Sequence, residues 1–371
     1  MQRYQILFIA LISVQTVQVQ FISMVQAAEN TLPPRAQWAR GMGQSGLRRI
    51  YATGGELGEL VNRQVSYQIA QRITGLSPRL GLPDASHSKA EGYVAQIDSL
   101  IPFKPGPGLP VSIRALGRTA TRIEKDKVHS RNDRLDLGML VAPSVDSFYS
   151  LGLAMEYTHA DLKFVDGETS GFAIGPRLDG GFRVNDVLAL VFRLEDLQFK
   201  GENRIMVKTP GGVLNITRDI ENHRSYFQIE SILRLTRSQL SWLPTGMQLG
   251  GMSGIHYLNT WHEQMQNSLG QAVVEPFGDH ERLGIVRVGT YLSSTLGDSG
   301  SWNTYAELLY DYEFDTNMNR VINDPQSTLL RLSVAHVPGP GKRVSLEYQG
   351  SWNAGRTRKR NNWVLSVVMD F

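Results

Sequence analysis

The sequence predicts an all-β protein, a closed antiparallel transmembrane β-barrel of about twelve strands preceded by a short N-terminal helical segment. Three observations predict it. From Val111 onward, apolar residues recur at alternate positions in segments of about ten residues, the length a tilted strand needs to cross a bilayer. Short and long connections alternate between these segments. The chain ends Trp363-Val-Leu-Ser-Val-Val-Met-Asp-Phe371, which puts Trp363, Leu365, Val367, Met369 and Phe371 on one face of a strand and Ser366 and Asp370 on the other. A free edge strand with such a face invites aggregation unless it is paired into a closed sheet or turned toward something apolar.

The N-terminus reads as an export signal. Met1-Gln2-Arg3 precedes the apolar run Ile6 to Val14, too short to span a bilayer but the size of a signal-peptide core. Small residues at Ala27 and Ala28 set cleavage after Ala27, with Ala28 as the alternative, so 1–27 is assigned to the signal.

Residues 28–109 form an N-terminal segment of different texture, without sustained alternation. Within it, Leu57, Val61, Val65, Ile69 and Ile73 follow one another at four-residue steps, the stripe of an amphipathic helix over 56–76 that would sit as a plug in the pore or in the periplasm. The stretch Ile101-Pro-Phe-Lys-Pro-Gly-Pro-Gly-Leu-Pro110 reads as a linker, because Pro lacks a donor and Gly loosens the backbone.

Residues 110–371 then carry the barrel. Strands begin near Val111, Leu135, Phe148, Gly171, Leu188, Tyr226, Met247, Leu283, Thr304, Thr328, Val344 and Trp363. Several alternate cleanly. Leu151, Leu153, Met155 and Tyr157 oppose Gly152, Ala154 and Glu156; Val344, Leu346 and Tyr348 oppose Ser345, Glu347 and Gln349. Short links fall at 143–147, 184–186, 240–245, 297–301 and 338–341, and longer ones at 124–133, 200–223, 261–280, 315–326 and 353–362. Barrels of the bacterial outer membrane have this asymmetry. An even strand count would put both barrel ends on the turn side and pair the last strand with the one beginning at Val111. Aromatic residues near strand ends, Tyr149, Phe182, Phe199, Tyr226, Trp302, Phe314, Trp352 and Trp363, suit interfacial girdles.

The C-terminal pattern resembles the closing strand of outer-membrane barrels, in which such a strand ending in Phe is recognised by the barrel-assembly machinery. The stretches Arg134-Leu-Asp-Leu-Gly-Met-Leu-Val-Ala142, Ser150-Leu-Gly-Leu-Ala-Met-Glu-Tyr157 and Ser170-Gly-Phe-Ala-Ile-Gly-Pro-Arg177 resemble the translocator β-domain of autotransporters. That resemblance covers 110–371 and implies a monomeric outer-membrane barrel with a translocator-like or structural role. The chain departs from the family in having only a short segment between Ala27 and Glu56 in place of a large passenger.

Composition bounds the chemistry. The chain has 371 residues, a formal net charge of +3 and no Cys, which argues against nucleic acid as a partner and excludes thiolate metal sites, disulfides and a Cys nucleophile. Mean hydropathy is −0.23, so no helical membrane protein is hidden in it. The inward face gathers Arg114, Arg118, Arg122, Asp136, Glu156, Arg177, Asp179, Arg193, Glu195, Glu230, Arg234, Arg287, Glu307, Asp311, Arg331 and Glu347. These are either a polar lumen that sets passage or a solid interior in which acids and bases neutralise one another.

No catalytic residues, metal ligands or cofactor site are assigned. Gly297-Asp-Ser-Gly-Ser301 resembles a protease nucleophile loop but lies in a short turn without a partner His. Asp315-Thr-Asn-Met-Asn319 begins like a calcium loop, yet Arg320 and Gln326 replace the required Gly and acid. His256 is expected near Glu230 as a structural pair. The basic loop Gly355-Arg-Thr-Arg-Lys-Arg360 could meet lipopolysaccharide phosphates or simply be solvated. The expected partners are thus outer-membrane lipid, lipopolysaccharide and the assembly machinery. Two further readings stay open. One is a narrow diffusion porin, and the other is a barrel-embedded lipid or lipopolysaccharide hydrolase using Ser and one of His129, His159, His223, His262 or His280 near the rim.

Overall fold

A computed structural model describes residues 88–103, 111–124, 128–144, 146–162, 166–209, 212–263, 266–268, 270, 280–296, 301–316, 325–339, 342–355 and 358–370. The signal segment 1–27, the helix at 56–76 and Phe371 lie outside them. Among the described residues no helix is long and apolar enough to cross a membrane.

The described chain forms thirteen strands: β1 (Ser88–Phe103), β2 (Val111–Glu124), β3 (Val128–Ser144), β4 (Ser147–Leu162), β5 (Gly167–Arg183), β6 (Leu188–Thr209), β7 (Gly212–Leu235), β8 (Met247–His262), β9 (His280–Leu296), β10 (Trp302–Thr316), β11 (Gln326–Gly339), β12 (Lys342–Asn353) and β13 (Arg358–Asp370). Each pairs with its neighbours in sequence, and β13 pairs with β1 to close the barrel. The fold is therefore an all-β closed barrel.

Two expectations are corrected. The strand count is thirteen rather than about twelve, because the barrel begins at Ser88 and not at 110. Ile101–Phe103, read as the start of a linker, is the end of β1, with Pro102 opposite Ser112. The strand escaped detection because neither of its faces is consistently apolar. Tyr93 and Ile97 point outward with Ser99 between that row and the turn, while Val94 and Leu100 point inward beside Gln96 and Asp98.

The second correction concerns closure. Twelve pairings are antiparallel, but an odd meander brings its first and last strands side by side in the same direction, and β1 and β13 pair in parallel from Ser88↔Arg358 to Leu100↔Asp370. The last strand thus meets β1, not the strand beginning at Val111, and Ser88 lies at the loop end of the barrel. The cysteine-free chain makes this directly testable. Ala95 and Leu365 are direct partners, so Ala95→Cys with Leu365→Cys is expected to form a disulfide under mild oxidation, whereas Gly117→Cys with Leu365→Cys is expected to form none. Gly117 lies on β2, two strands from β13 and about 10 Å away, beyond the reach of a disulfide. The reverse result on non-reducing gels would restore closure by β2.

Three of the five expected long links, 124–133, 200–223 and 353–362, are largely strand, and most of 261–280 and 315–326 lies outside the described residues. Most of 200–223 lies in the β6–β7 hairpin, whose ladder runs to Thr209↔Gly212, and most of 124–133 lies in β2 and β3. The hairpin runs on past its neighbours, whose pairing with it ends at Gly167↔Ile205 and Asn222↔His262. Arg358 to Arg360, read as loop, belong to β13. On the opposite end the turns are tight and locally encoded. Asn185 Oδ1 accepts hydrogen bonds from the backbone N–H of Val187 (3.0 Å) and Leu188 (2.9 Å), which holds the β5–β6 turn. Gly246, at φ 82°, occupies a conformation that L side chains rarely adopt and its carbonyl accepts from Thr295 N–H at 2.9 Å.

The distribution of side chains is inverted relative to a water-soluble barrel. Outward positions carry exposed Ile113, Leu151, Leu153, Val288, Leu308, Leu332, Leu346 and Leu365. Inward positions carry the buried charges.

Candidate functional site

Of the charges expected on the inward face, all but two are buried inside the barrel. Arg234, at the turn end of β7, is half-buried and its guanidinium reaches the Asp186 carbonyl at 3.5 Å. Glu347 is also half-buried, accepts a 2.7 Å hydrogen bond from Gln349 and lies 3.9 Å from Arg331.

The buried charges form linked pairs. Arg114 on β2 bridges Asp98 on β1 (3.2 Å) and Asp179 on β5 (2.8 Å). Asp179 also accepts from Arg177 and, at 2.7 Å, from Arg193, and Arg177 joins Asp136. Arg134 on β3 reaches Asp136 (2.9 Å), Glu156 on β4 (3.4 Å) and both oxygens of Glu195 on β6, and Arg224 on β7 closes on Glu156 at 3.1 Å. Arg118 donates to Asn132 at 2.9 Å, and near the loop end Arg122 pairs with Glu124 at 3.3 Å.

Three of these contacts join strands three apart: β2 to β5, β3 to β6 and β4 to β7. They are chords over one arc of the lumen, between β2 and β7, instead of contacts along the wall. On the other arc the pairs join neighbours. Arg287 is bidentate to Asp311 at 2.7 and 2.9 Å, Arg331 meets Glu307 at 3.0 Å, and His262 lies 3.1 Å from Glu281. Asp98, Arg193 and Glu281 are 0% exposed. Charges so placed are tolerable only when paired and hydrogen-bonded, and deleting one partner leaves an uncompensated buried charge.

An apolar layer lies at the turn end of the same interior. Leu100, Leu140, Ala142, Phe148, Ala189, Val191, Ile232, Tyr291, Tyr305 and Val368 form one continuous buried cluster drawn from eight strands. The Tyr291 and Tyr305 rings stack at 5.5 Å, and Tyr291 donates to the Leu233 carbonyl at 3.0 Å by lying across Gly250, where a Cβ would overlap its ring.

His256 and Glu230 do meet, at 3.0 Å, and both are fully buried. Tyr226 hydroxyl lies 2.9 Å from His256 Nδ1 and 3.0 Å from Gln228 Oε1. Tyr226, like Phe199, therefore points inward and is not part of an outer girdle; Phe199 packs on Ala154, Ala173 and Leu197. Tyr149, Phe182, Trp302, Phe314 and Trp363 are exposed on the outside. In the terminal strand, Trp363 and Leu365 are exposed on the outer face, and Val367 and Met369 are half-buried on it.

A second polar group sits outside, at the upper edge of the apolar belt. Along the outer faces of β6, β7 and β8, Asp196, Ser225 and Asn259 are direct cross-strand partners in one row. Ser225 Oγ donates to Asp196 Oδ2 at 2.8 Å and His223 Nε2 bonds Asp196 Oδ1. His223 lies two residues from Ser225, hence on the same face, and stacks on Trp261 at 5.3 Å with 27° between the rings. Asp196, Ser225 and Asn259 border a groove of about 380 Å³ whose apolar wall includes Leu151, Pro176, Leu178, Leu194, Phe227 and Tyr257. The groove lies between this row and the apolar row Leu151, Leu178, Leu194, Phe227 and Tyr257 next to it on the turn side.

Sequence reading placed His223 among rim histidines but in a loop; it is in the middle of β7, because that strand begins at Gly212. Asp196, Ser225 and Asn259 were missed, although His-x-Ser on one outward strand face is a readable signal. Asp98, Glu124, Arg134, Arg224 and Glu281 were missed in the lattice. Arg134 could have been found from its two-residue spacing to Asp136; Asp98 lies on the unrecognised strand. Among the described residues no group of three or more His, Asp or Glu could hold a metal ion.

No family model and no curated protein matches the chain. Solved structures similar to it include the translocator domain of the autotransporter NalP from Neisseria meningitidis, at 11% identity over 81% of this chain and 91% of that one, TM-score 0.48. Another is the β domain of the Bordetella autotransporter BrkA, at 17% identity over 64% of this chain and 88% of that one, TM-score 0.47. A FadL homologue of Pseudomonas aeruginosa is similar at 10% identity over 66% of this chain and 70% of that one, TM-score 0.40.

Proposed function

We propose that this chain is an integral outer-membrane β-barrel whose lumen is packed and whose outer wall is its working surface. The observation that carries this is the apolar layer drawn from eight strands at the turn end, with Arg–carboxylate chords, Arg114–Asp179, Arg134–Glu195 and Arg224–Glu156, over one arc of the lumen above it. Ions or an unfolded chain passing through would have to break several buried pairs, each costing about 3–5 kcal/mol when one partner is left alone. This supports a membrane-spanning, non-conducting barrel over a diffusion porin.

The apolar outer face supports the membrane placement, since backbone and side chains in lipid must be closed and apolar outward. Lipid is then the partner along the whole belt, and the outward face of β13 is what the assembly machinery would meet. Planar-bilayer recordings test the reading. The full chain, and a variant lacking 28–87 but keeping every described strand, are both expected to be silent. Steady, protein-dependent conductance steps from either would overturn it. Recovery of the protein as a soluble periplasmic species, without heat-modifiable gel mobility, would overturn the membrane placement.

A further inference from the structure

We propose that Ser225, His223, Asp196 and Asn259 form a serine esterase site on the lipid-facing wall, and that its substrate is the acyl ester of a membrane lipid. The site lies beyond the lumen reading, sharing with it only the membrane placement.

Four features carry it. Ser225 is the sole hydroxyl of the cluster, and it sits between a carboxylate on β6 and a carboxamide on β8, each its direct cross-strand partner. Asp196 holds His223 by Nε2, so that nitrogen carries the proton and Nδ1 keeps the lone pair. Among the described residues Nδ1 takes no hydrogen bond. The imidazole is pinned by stacking on Trp261, which also contacts His280 at 5.0 Å. Finally, the groove is lined by Asp196, Ser225 and Asn259 together with an apolar row, so an acyl chain held against that row passes beside Ser225.

In the resting arrangement Ser225 donates to Asp196. A rotation about its Cα–Cβ bond between staggered positions turns Oγ toward His223, two residues away on the same face. Oγ then attacks the ester carbonyl carbon and its proton passes to Nδ1. The Asn259 amide, beside Ser225, donates to the oxyanion. The carbon–oxygen bond to the lipid breaks, and Nδ1 returns the proton to the departing alkoxide, releasing an alcohol and leaving the acyl group on Ser225. Water attacks this ester, gives its proton to His223, and the fatty acid leaves as the proton returns to Oγ. Asp196 is a positioning residue throughout.

The test uses full-length protein folded in detergent, with heat-modifiable mobility as the fold control. An alkyl fluorophosphonate is expected to label Ser225, located by peptide mass. Mixed micelles of phosphatidylethanolamine and, separately, of lipopolysaccharide are expected to show fatty-acid release from at least one; which one releases identifies the source of the ester. Ser225→Ala and His223→Ala are expected to reduce release about 10³-fold or more. Asp196→Asn is expected to lower kcat about 10²–10⁴-fold with KM little changed, a split that a purely structural role would not produce. Ser231→Ala, on the same outer face, should leave release unchanged. Folded wild-type protein that neither takes up the probe at Ser225 nor releases fatty acid from either lipid overturns the proposal. Should Ser225→Ala fail to fold, adduct mapping on the wild type decides alone.

Discussion

Arg134→Ala is expected to lower the unfolding free energy by about 3–5 kcal/mol. Arg134 is fully buried and serves three carboxylates, but these do not suffer equally. Asp136 keeps Arg177 and Glu156 keeps Arg224, whereas Arg134 is the ion-pair partner that Glu195 loses. The cost therefore falls on one stranded carboxylate. Pairing Arg134→Met with Glu195→Leu should recover most of the loss, because apolar groups of similar volume remove the unmet charge and its partner together. Arg131→Ala is the matched comparison. Its side chain is 56% exposed and pairs with Asp133 at 2.9 Å on the outer face, so a change of about 0–1 kcal/mol is expected. Urea titration of tryptophan fluorescence in lipid vesicles measures all three. Equal, small losses for Arg134→Ala and Arg131→Ala would mean that the lattice does not hold the interior.

Leu346→Arg should cost about 2–4 kcal/mol, for the opposite reason. Leu346 is 53% exposed on the outer face of β12, flanked by Val334 and Leu365 on the neighbouring strands. In water such a substitution at an exposed site would be almost neutral; in hydrocarbon it buries a charge with no partner. Gln198→Arg, outward on β6 above the belt, should cost about 0–1 kcal/mol, since the penalty falls off toward the interface. The same titration compares the two. A flat profile with depth would mean that the outer face does not meet lipid.

The outward rows were legible because period-two alternation is a local property. Leu151 to Tyr157 and Val344 to Tyr348 announce both strand and face within a few residues. The inward charges were legible by the same parity, which is why Arg177 and Asp179 or Glu307 and Asp311 could be placed on one face before any fold was known. Strand β1 was not legible, because its outward and inward rows are both mixed and Pro102 near its end mimics a linker. Its loss propagated: an even count implied antiparallel closure, and Asp98 dropped out of the lattice. The loop-side extension of β6 and β7 was hidden too, since runs such as Ile205-Met-Val207 and Val213-Leu214 put apolar residues on both faces and so carry no alternation.

What the sequence determined by itself was the class of the molecule, an all-β barrel with apolar and charged faces in alternation, because each strand states its own two faces. Partnership was decided only by the tertiary structure. Which arginine meets which carboxylate across the lumen, and that Asp196, Ser225 and Asn259 share one outer row, follow from register between strands, and a one-residue slip would turn each of these side chains to the other face. Register is set by the closure of the whole sheet, so residues 29 and 34 positions apart in the chain become direct neighbours only once the barrel has formed.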